Sequence, residues 1–235
     1  MKELYDSLAW SYDLRQENPW TRRMREAEKP FLNLAGGRVL DVGCGTGHHL
    51  KMFPGAIGID VSEKMLKEAR KHGRVVKARA EALPFEDESF DTILCMFTVL
   101  NLCGWKKAVK EMARVLRPGG VCIATVASVY DRGWSYRERR AARNPPGEKM
   151  SRIHGQKVVL RLFPKEELER EFRENGLLLE RFKGLFILAG PKWGDFAPLT
   201  LKERLLLGLE RFFPGGYGSV YLFAFRKPEK RVSTP

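Results

Sequence analysis

The stretch Arg38-Val39-Leu40-Asp41-Val42-Gly43-Cys44-Gly45-Thr46-Gly47 decides the fold of this chain. An apolar run carries an acid near its end, and three glycines follow at alternate positions. This order predicts a buried parallel strand over residues 38–42, a tight loop, and a helix over residues 46–53. Glycines suit the loop because they tolerate a sharp turn and let the backbone lie close to a ligand. The free N–H groups at the start of the helix would face that ligand.

A second acid stands at the spacing that such a loop requires. Ala56-Ile57-Gly58-Ile59-Asp60 is typical of a strand, and Asp60 follows Asp41 by about 20 residues. A carboxylate at the carboxyl end of that strand can accept hydrogen bonds from both hydroxyls of a ribose. Alternatively, Asp60 could be a surface residue that caps the next helix, but Ser62 is better placed for that role.

The glycine loop resembles motif I of the class I S-adenosylmethionine (SAM) methyltransferases. The dinucleotide-binding fingerprint is the rival interpretation, but it requires a glycine or alanine at position 48, where this chain has His48. The run Phe90–Phe97 resembles motif IV, and Leu116–Gly120 resembles the turn before the fifth strand of the family. The similarity is greatest to the ubiquinone-biosynthesis-like (Methyltransf_11) group.

The resemblance covers about residues 5–127 and continues weakly from 163 to 226. It implies an α/β fold with a doubly wound, Rossmann-like sheet of seven strands, the last of them antiparallel. In open sheets of this kind, ligands bind at the carboxyl ends of the strands. Asn101, just beyond the motif IV strand, could contact the substrate, but a turn or helix-cap residue is the favoured interpretation.

The resemblance also implies the cofactor, SAM, and its product, S-adenosylhomocysteine. The glycines would let the backbone approach the methionine and ribose, and Asp60 would hold the ribose. Asp41 would orient the loop or reach the methionine amino group through water, and Val61 would lie against the adenine. The predicted cofactor-binding residues are Asp41, Gly43, Cys44, Gly45, Gly47, Asp60, Val61, Met65, Ala80, Glu81, Phe97 and Tyr12.

One stretch departs from the family pattern. Ala78–Phe85 is similar to the family's G-D-A-E-x-L-P-F, in which the Asp commonly meets the adenine amino group. Arg79 stands at that position, and an arginine cannot accept a hydrogen bond. The backbone N–H of Ala80 could still reach a ring nitrogen, and Glu81 is the substitute acceptor.

The segment Tyr5-Asp6-Ser7-Leu8-Ala9-Trp10-Ser11-Tyr12-Asp13 resembles the N-terminal part of many small SAM methyltransferases. In those proteins the segment folds over the cofactor. An aromatic cap would keep water from the sulfonium and contact its charge by a cation–π interaction. The alternative is that Trp10 and Tyr12 only anchor an amphipathic helix.

The charge of the chain is strongly positive, with a net value of +13 over 235 residues. We expect one domain over residues 1–235, with a flexible tail at 228–235. Residues 128–163 hold nine basic and three acidic residues, with aromatic residues among them, where the family usually builds a substrate lid. An anionic partner such as RNA, an acidic membrane surface or a phosphorylated metabolite would suit this charge.

The sequence predicts neither a transmembrane helix nor a C-x-x-C pair nor a metal site. There is no apolar run of about 18 residues that would predict a transmembrane helix. The cysteines Cys44, Cys95, Cys103 and Cys122 form no C-x-x-C pair, so reduced thiols in a cytoplasmic protein are predicted. The histidines have no metal-ligand spacing, and we expect no metal.

Residues 199–213 could pack on the core, on a second subunit or on an apolar substrate.

The predicted function is transfer of the SAM methyl group to an unidentified acceptor, most simply a small molecule. The alternatives are an RNA (or tRNA) methyltransferase that uses the basic insertion, and a SAM-binding protein without transfer activity. Direct displacement needs in-line positioning and a dry site, and a base only if the acceptor keeps its proton at neutral pH. No catalytic residue is assigned, although Tyr12, Tyr130 and His154 fall near the expected cleft. The oligomeric state is left open.

Overall fold

The computed structural model describes residues 5–7, 9, 12–15, 17–97, 99–130, 147–153, 156–188, 197–213 and 215–229. The helices are α1 (Tyr12–Arg15), α2 (Pro19–Leu32), α3 (Glu63–Ala69), α4 (Val99–Leu102), α5 (Trp105–Val115), α6 (Lys165–Glu174) and α7 (Leu201–Leu209). The strands are β1 (Val39–Val42), β2 (Ile57–Asp60), β3 (Arg74–Lys77), β4 (Phe90–Cys95), β5 (Leu116–Ala127), β6 (Gly147–Ile153), β7 (Gln156–Leu162), β8 (Leu178–Leu185) and β9 (Val220–Arg226). Short 3-10 turns cover Glu210–Phe212 and Gly215–Tyr217.

The main sheet has seven strands in the order β3-β2-β1-β4-β5-β9-β8. The first five strands of this order are parallel, and β9 is antiparallel to both β5 and β8. The predicted doubly wound α/β sheet is therefore confirmed. The chain order reverses between β1 and β4, and a crevice opens at such a switch point beside the carboxyl ends of the strands.

Both faces of the sheet are buried. One cluster of fully buried side chains joins the sheet to α5 and α6, and includes Phe90, Val109 and Phe172. A second cluster on the other face includes Leu66 and Phe31, from α3 and α2. A sheet covered on both sides explains the almost continuous apolar sequence of β4.

The helix predicted over residues 46–53 is wrong. Residues 45–52 form a series of turns, in which the N–H of Met52 bonds to the carbonyl of His49 at 2.9 Å. Gly45 and Gly47 have positive φ angles of 53° and 89°, which a helix does not contain. Too few residues then remain before Pro54 to nucleate a helix.

The predicted insertion forms an antiparallel hairpin of β6 and β7 in its second half. Its residues 131–146 and 154–155, which include His154, lie outside the described residues. So do Trp10 in the N-terminal segment and positions 230–235 of the predicted tail. Among the helices that are described, none is both long and apolar enough to cross a membrane.

Candidate active site

A cavity of about 410 Å³ lies at the carboxyl ends of the central strands. Eleven of the twelve predicted residues line it: Tyr12, Asp41, Gly43, Cys44, Gly45, Asp60, Val61, Met65, Ala80, Glu81 and Phe97. The exception is Gly47, which faces α3 instead. A Cβ at that position would lie 3.0 Å from the Cα of Ala69, so this glycine lets the loop pack closely on the helix.

The glycine loop is held by the end of β2. The N–H groups of Gly43 and Cys44 both donate to the carbonyl of Ile59, each at 2.8 Å. Gly43 has a φ of 74°, and a Cβ there would lie 2.4 Å from Cγ2 of Val99. The loop is therefore pressed between β2 and the start of α4, and no larger residue fits at Gly43.

Asp60 lies at the mouth of this loop with part of its hydrogen-bonding capacity unused. Its Oδ2 accepts from the N–H of Gly45 at 3.0 Å, and its Oδ1 accepts from the N–H of Ser62 at 2.8 Å. Burial raises the pKa of Asp60, against the effect of these two N–H groups. A carboxylate has about four acceptor sites. The capacity that the N–H groups of Gly45, Val61 and Ser62 leave unused would serve the hydroxyls of a ribose.

Three buried titratable side chains lie beneath the loop. Nε2 of His49 is 3.4 Å from Oε2 of Glu28, and its Nδ1 is 4.0 Å from Oδ2 of Asp41. Burial raises the pKa of Asp41 to about 6, although His49 opposes the shift. Burial alone would lower the pKa of His49, but the bond to Glu28 and the charge of Asp41 outweigh it and raise that pKa. The sequence analysis missed Glu28 and His49.

Arg25 is a further cavity residue that the sequence analysis missed. Its Nε is buried and has no hydrogen-bond partner among the described residues. Oδ2 of Asp41 is likewise buried and has no hydrogen-bond partner among the described residues. The signal was present in α2, because Arg25 and Glu28 stand at helical spacing beside the buried Met24 and Phe31, where apolar residues are expected.

The N-terminal segment is fastened over the cavity by its two aspartates. Oδ1 of Asp13 accepts from the hydroxyl of Thr46 at 2.5 Å, and Oδ1 of Asp6 accepts from the hydroxyl of Ser62 at 2.5 Å. Tyr5 and Tyr12 line the cavity, with ring centroids 6.4 Å apart in an edge arrangement. Burial raises the pKa of Tyr12 above its usual range. The described residues of the segment therefore lie at the cavity, and a cover over the cofactor stays a prediction.

The far end of the cavity holds the stretch that departs from the family pattern. Oε1 of Glu81 accepts from the N–H of Gly104 at 2.8 Å and from Arg79 at 3.1 Å. Burial raises the pKa of Glu81, but these two donors outweigh it and lower the pKa. Arg79, which also lines the cavity, is thus paired with Glu81, and Oε2 of Glu81 is the atom left to accept from a base.

Of the three side chains expected near the cleft, Tyr12 lines the cavity and His154 lies outside the described residues. The ring of Tyr130 packs against Tyr217, with centroids 5.3 Å apart, and does not line the cavity. His48 does line it, but burial, with the charges of Arg25 and His49, lowers its pKa to about 4. Asn101 is buried within α4 and bonds to backbone atoms of β5 and β7, so it joins the helix to these strands and is not the turn or helix-cap residue that was expected. Among the described residues, no group of His, Cys, Asp and Glu could hold a metal ion.

Comparison with known proteins agrees with this geometry. Residues 40–124 match the Methyltransf_11 family of methyltransferase domains. An uncharacterized protein of Methanocaldococcus jannaschii is 36% identical over 192 residues, which span 75% of each chain. The demethylmenaquinone methyltransferase of Chlorobaculum parvum is 29% identical over 231 residues, covering 88% of this chain and 90% of the relative.

The solved structures show the same fold. A SAM-dependent methyltransferase of Thermotoga maritima, named as a possible histamine N-methyltransferase, is 24% identical, with a TM-score of 0.62. The superposition covers 97% of this chain and 99% of that one. The sheet order, the glycine loop and the relatives all point the same way. The chain belongs to the class I SAM-dependent methyltransferases.

Proposed function

We propose that the protein uses this cavity to transfer the SAM methyl group to a small, uncharged or weakly charged molecule. Arg25 and Asp41 both line the cavity, and Nε of the one and Oδ2 of the other are buried without a hydrogen-bond partner among the described residues. Buried polar atoms of this kind are costly unless a ligand satisfies them. The carboxylate and ammonium groups of an α-amino acid would satisfy both, and Asp60 would accept from a ribose. The residues therefore fit SAM.

The charge of the acceptor follows from the cationic side chains that remain on the cavity wall once SAM is bound. Within the part of the chain that the structure describes, the arginines and lysines on the cavity wall are Arg25 and Arg79, and Arg79 is paired with Glu81. If Arg25 holds the methionine carboxylate, no cation is left for a phosphate. Phe97, Val99 and Met96 offer an apolar wall instead. This shortage of cations is the observation that carries the proposal of a small molecule over RNA.

The relatives support a small acceptor. The Chlorobaculum protein is named for demethylmenaquinone, which is a quinone and not a polymer. The RNA alternative depends on the basic insertion, much of which lies outside the described residues, so it stays a prediction.

The protein's own part in the reaction is positioning and exclusion of water. SAM, when bound, supplies a methyl group on a positively charged sulfur that departs as a neutral thioether. Tyr5 and Tyr12 cover the cavity and lower the access of water to it. A general base works best with a pKa near the working pH, but the pKa of His48 is about 4, and Asp41, with a pKa of about 6, is the residue proposed to hold the ammonium group of SAM. We therefore favour an acceptor that brings its own nucleophile, such as an amine or an acidic carbon or oxygen.

The test is transfer of labelled methyl from SAM to a cell extract, which is then divided into organic-soluble, nuclease-sensitive and protease-sensitive fractions. We expect the label in the organic-soluble fraction. Asp60→Ala should remove it, and Asp87→Ala, which changes an exposed acid away from the cavity, should keep it. Label released by nuclease would overturn the small-molecule proposal. SAM binding without transfer to any fraction would also contradict it.

A further inference from the structure

Helix α7 and the turn after it expose a ridge of large apolar side chains. The α7 ridge consists of Leu201, Leu205, Leu209, Phe212 and Phe213, which are 75%, 60%, 47%, 69% and 46% exposed. The three leucines are four residues apart and share one face of the helix. Contiguous exposed apolar patches of this kind usually mark a surface that meets a partner or a membrane.

The charges along the ridge all have one sign. Lys202, Arg204 and Arg211 are exposed beside it. The two acids of the segment are half-buried, and both accept hydrogen bonds from backbone N–H groups. Glu203 completes a capping box with Thr200, and Glu210 accepts from the N–H groups of Phe186 and Leu188 at 3.2 and 3.1 Å. The exposed side chains from 201 to 213 are therefore only apolar or basic.

The opposite side of α7 packs towards the cavity. Leu207 is buried against Trp20 and Phe186, and Phe97 packs on the same cluster. Phe97 also lines the cavity. The ridge is thus the outer surface of a layer whose inner surface is close to the cavity wall.

We propose that the α7 ridge docks on an anionic lipid bilayer. An amphipathic helix with Leu and Phe on one side and flanking Lys and Arg binds at the interface by burying its apolar face and attracting anionic headgroups. A second copy of this chain would bring the same basic residues against each other, between molecules that each carry a net charge of +13. RNA bases could stack on the two phenylalanines, but RNA has no surface that would bury the three leucines.

The bilayer also gives the acceptor a source. A docked α7 would hold the cavity near the membrane surface, so the acceptor would be a molecule dissolved in the lipid. This step rests on the proposed function, whereas docking of the ridge does not.

The experiment is sedimentation of the full chain with vesicles of phosphatidylcholine alone or mixed with phosphatidylglycerol. We expect binding to the mixed vesicles, weakened by salt, and little binding to phosphatidylcholine. The double variant Leu205→Glu, Phe212→Glu should bind the mixed vesicles at least ~10-fold more weakly, since it removes buried apolar area and adds repulsion. Leu178→Glu is the control, because Leu178 is exposed on β8, away from the ridge.

Each outcome bears on one proposal. Failure of the native chain to bind mixed vesicles, or equal binding by the double variant, overturns docking. Dimerisation that the double variant abolishes, without vesicle binding, also overturns it in favour of a second copy. SAM affinity and thermal stability of both variants should match the native chain. A chain that binds vesicles but methylates no small molecule contradicts the proposed function and leaves docking intact.

Discussion

At the scale of single residues, different residues of the cavity are proposed to hold the two ends of SAM, its amino-acid end and its ribose. Arg25 and Asp41 carry the unpartnered atoms that suit an amino-acid end, and Asp60 suits a ribose. A ligand that lacks the amino-acid end, such as 5′-methylthioadenosine, can therefore distinguish the roles of these residues.

Arg25→Met should weaken SAM binding by about 10- to 100-fold, the value of one charge-assisted hydrogen bond. The affinity for 5′-methylthioadenosine should not change, because that ligand has no carboxylate. Calorimetric titration of both ligands measures this. Arg22→Met is the control, since Arg22 is exposed on the same helix. Equal weakening of both ligands would rule out a contact specific to the carboxylate.

Asp60→Ala should weaken both ligands, by about 10-fold or more, because each contains the ribose. The same titrations measure it, with Asp87→Ala as the exposed control. If SAM affinity is unchanged, Asp60 does not hold the ribose.

The affinity for SAM should depend on pH through Asp41. Its pKa is raised to about 6, so the carboxylate is ionised above that pH and protonated below it. An ammonium group prefers the ionised form, so SAM binding should weaken as the pH falls through about 6. His48, with a pKa of about 4, stays neutral in this range. Asp41→Asn should bind weakly at every pH, and a native pH profile that persists in it would assign the titration to another group such as His49.

At the scale of elements, Asn101 joins α4 to two strands. Its Nδ2 donates to the carbonyls of Ala127 and Arg161 at 2.9 and 2.6 Å, and its Oδ1 accepts from the N–H of Ala127 at 3.0 Å. The side chain is the only link of this kind that we find between β5, β7 and α4 in the described part of the chain. It fixes the hairpin that forms the second half of the predicted lid to the main sheet.

Asn101→Ala should lower the free energy of unfolding by about 2–4 kcal/mol, because it leaves buried backbone groups without partners. Urea unfolding measures the loss. Asn33→Ala changes an exposed asparagine at the end of α2 and should alter stability by less than about 0.5 kcal/mol. A similar small effect of Asn101→Ala would show that water replaces its bonds.

Comparison of the predicted and the observed elements shows which parts of the fold and of the site could be predicted from the sequence. The strands could be predicted because a doubly covered sheet needs apolar runs, and Asp60 because its spacing from the loop is set by one strand–helix–strand unit. The helix over 46–53 could not be excluded from local pattern, since the backbone angles at Gly45 and Gly47 decide it. Glu28 and Arg25 are distant in sequence from the loop, and only tertiary packing brings them to the cavity.

At the scale of the whole molecule, burial in the fold determines how fast the cysteine thiols should react. Cys44, Cys95 and Cys122 are buried, and Cys103 is half-buried beside the cavity. Burial raises the pKa of both Cys103 and Cys122 to about 12. The thiolate is the reactive form, so all four thiols should react slowly in the native protein.

A thiol reagent at pH 8 should modify all four cysteines only after unfolding, with Cys103 the fastest in the native chain. SAM should slow Cys103 further, because this residue lines the cavity. The time course of absorbance with and without SAM measures both effects, and Cys103→Ser identifies the fast phase. Four native thiols that react as fast as unfolded ones would contradict the burial described here.

The position of β9 has a consequence for synthesis of the protein. This strand is the last of the main sheet in chain order, yet it lies between β5 and β8, and Tyr221, Phe223 and Phe225 on it are buried. While the chain emerges from the ribosome, β5 and β8 are made before the strand that pairs with both. Until β9 emerges, the growing sheet has an open edge that chaperones can hold and that other nascent chains can join.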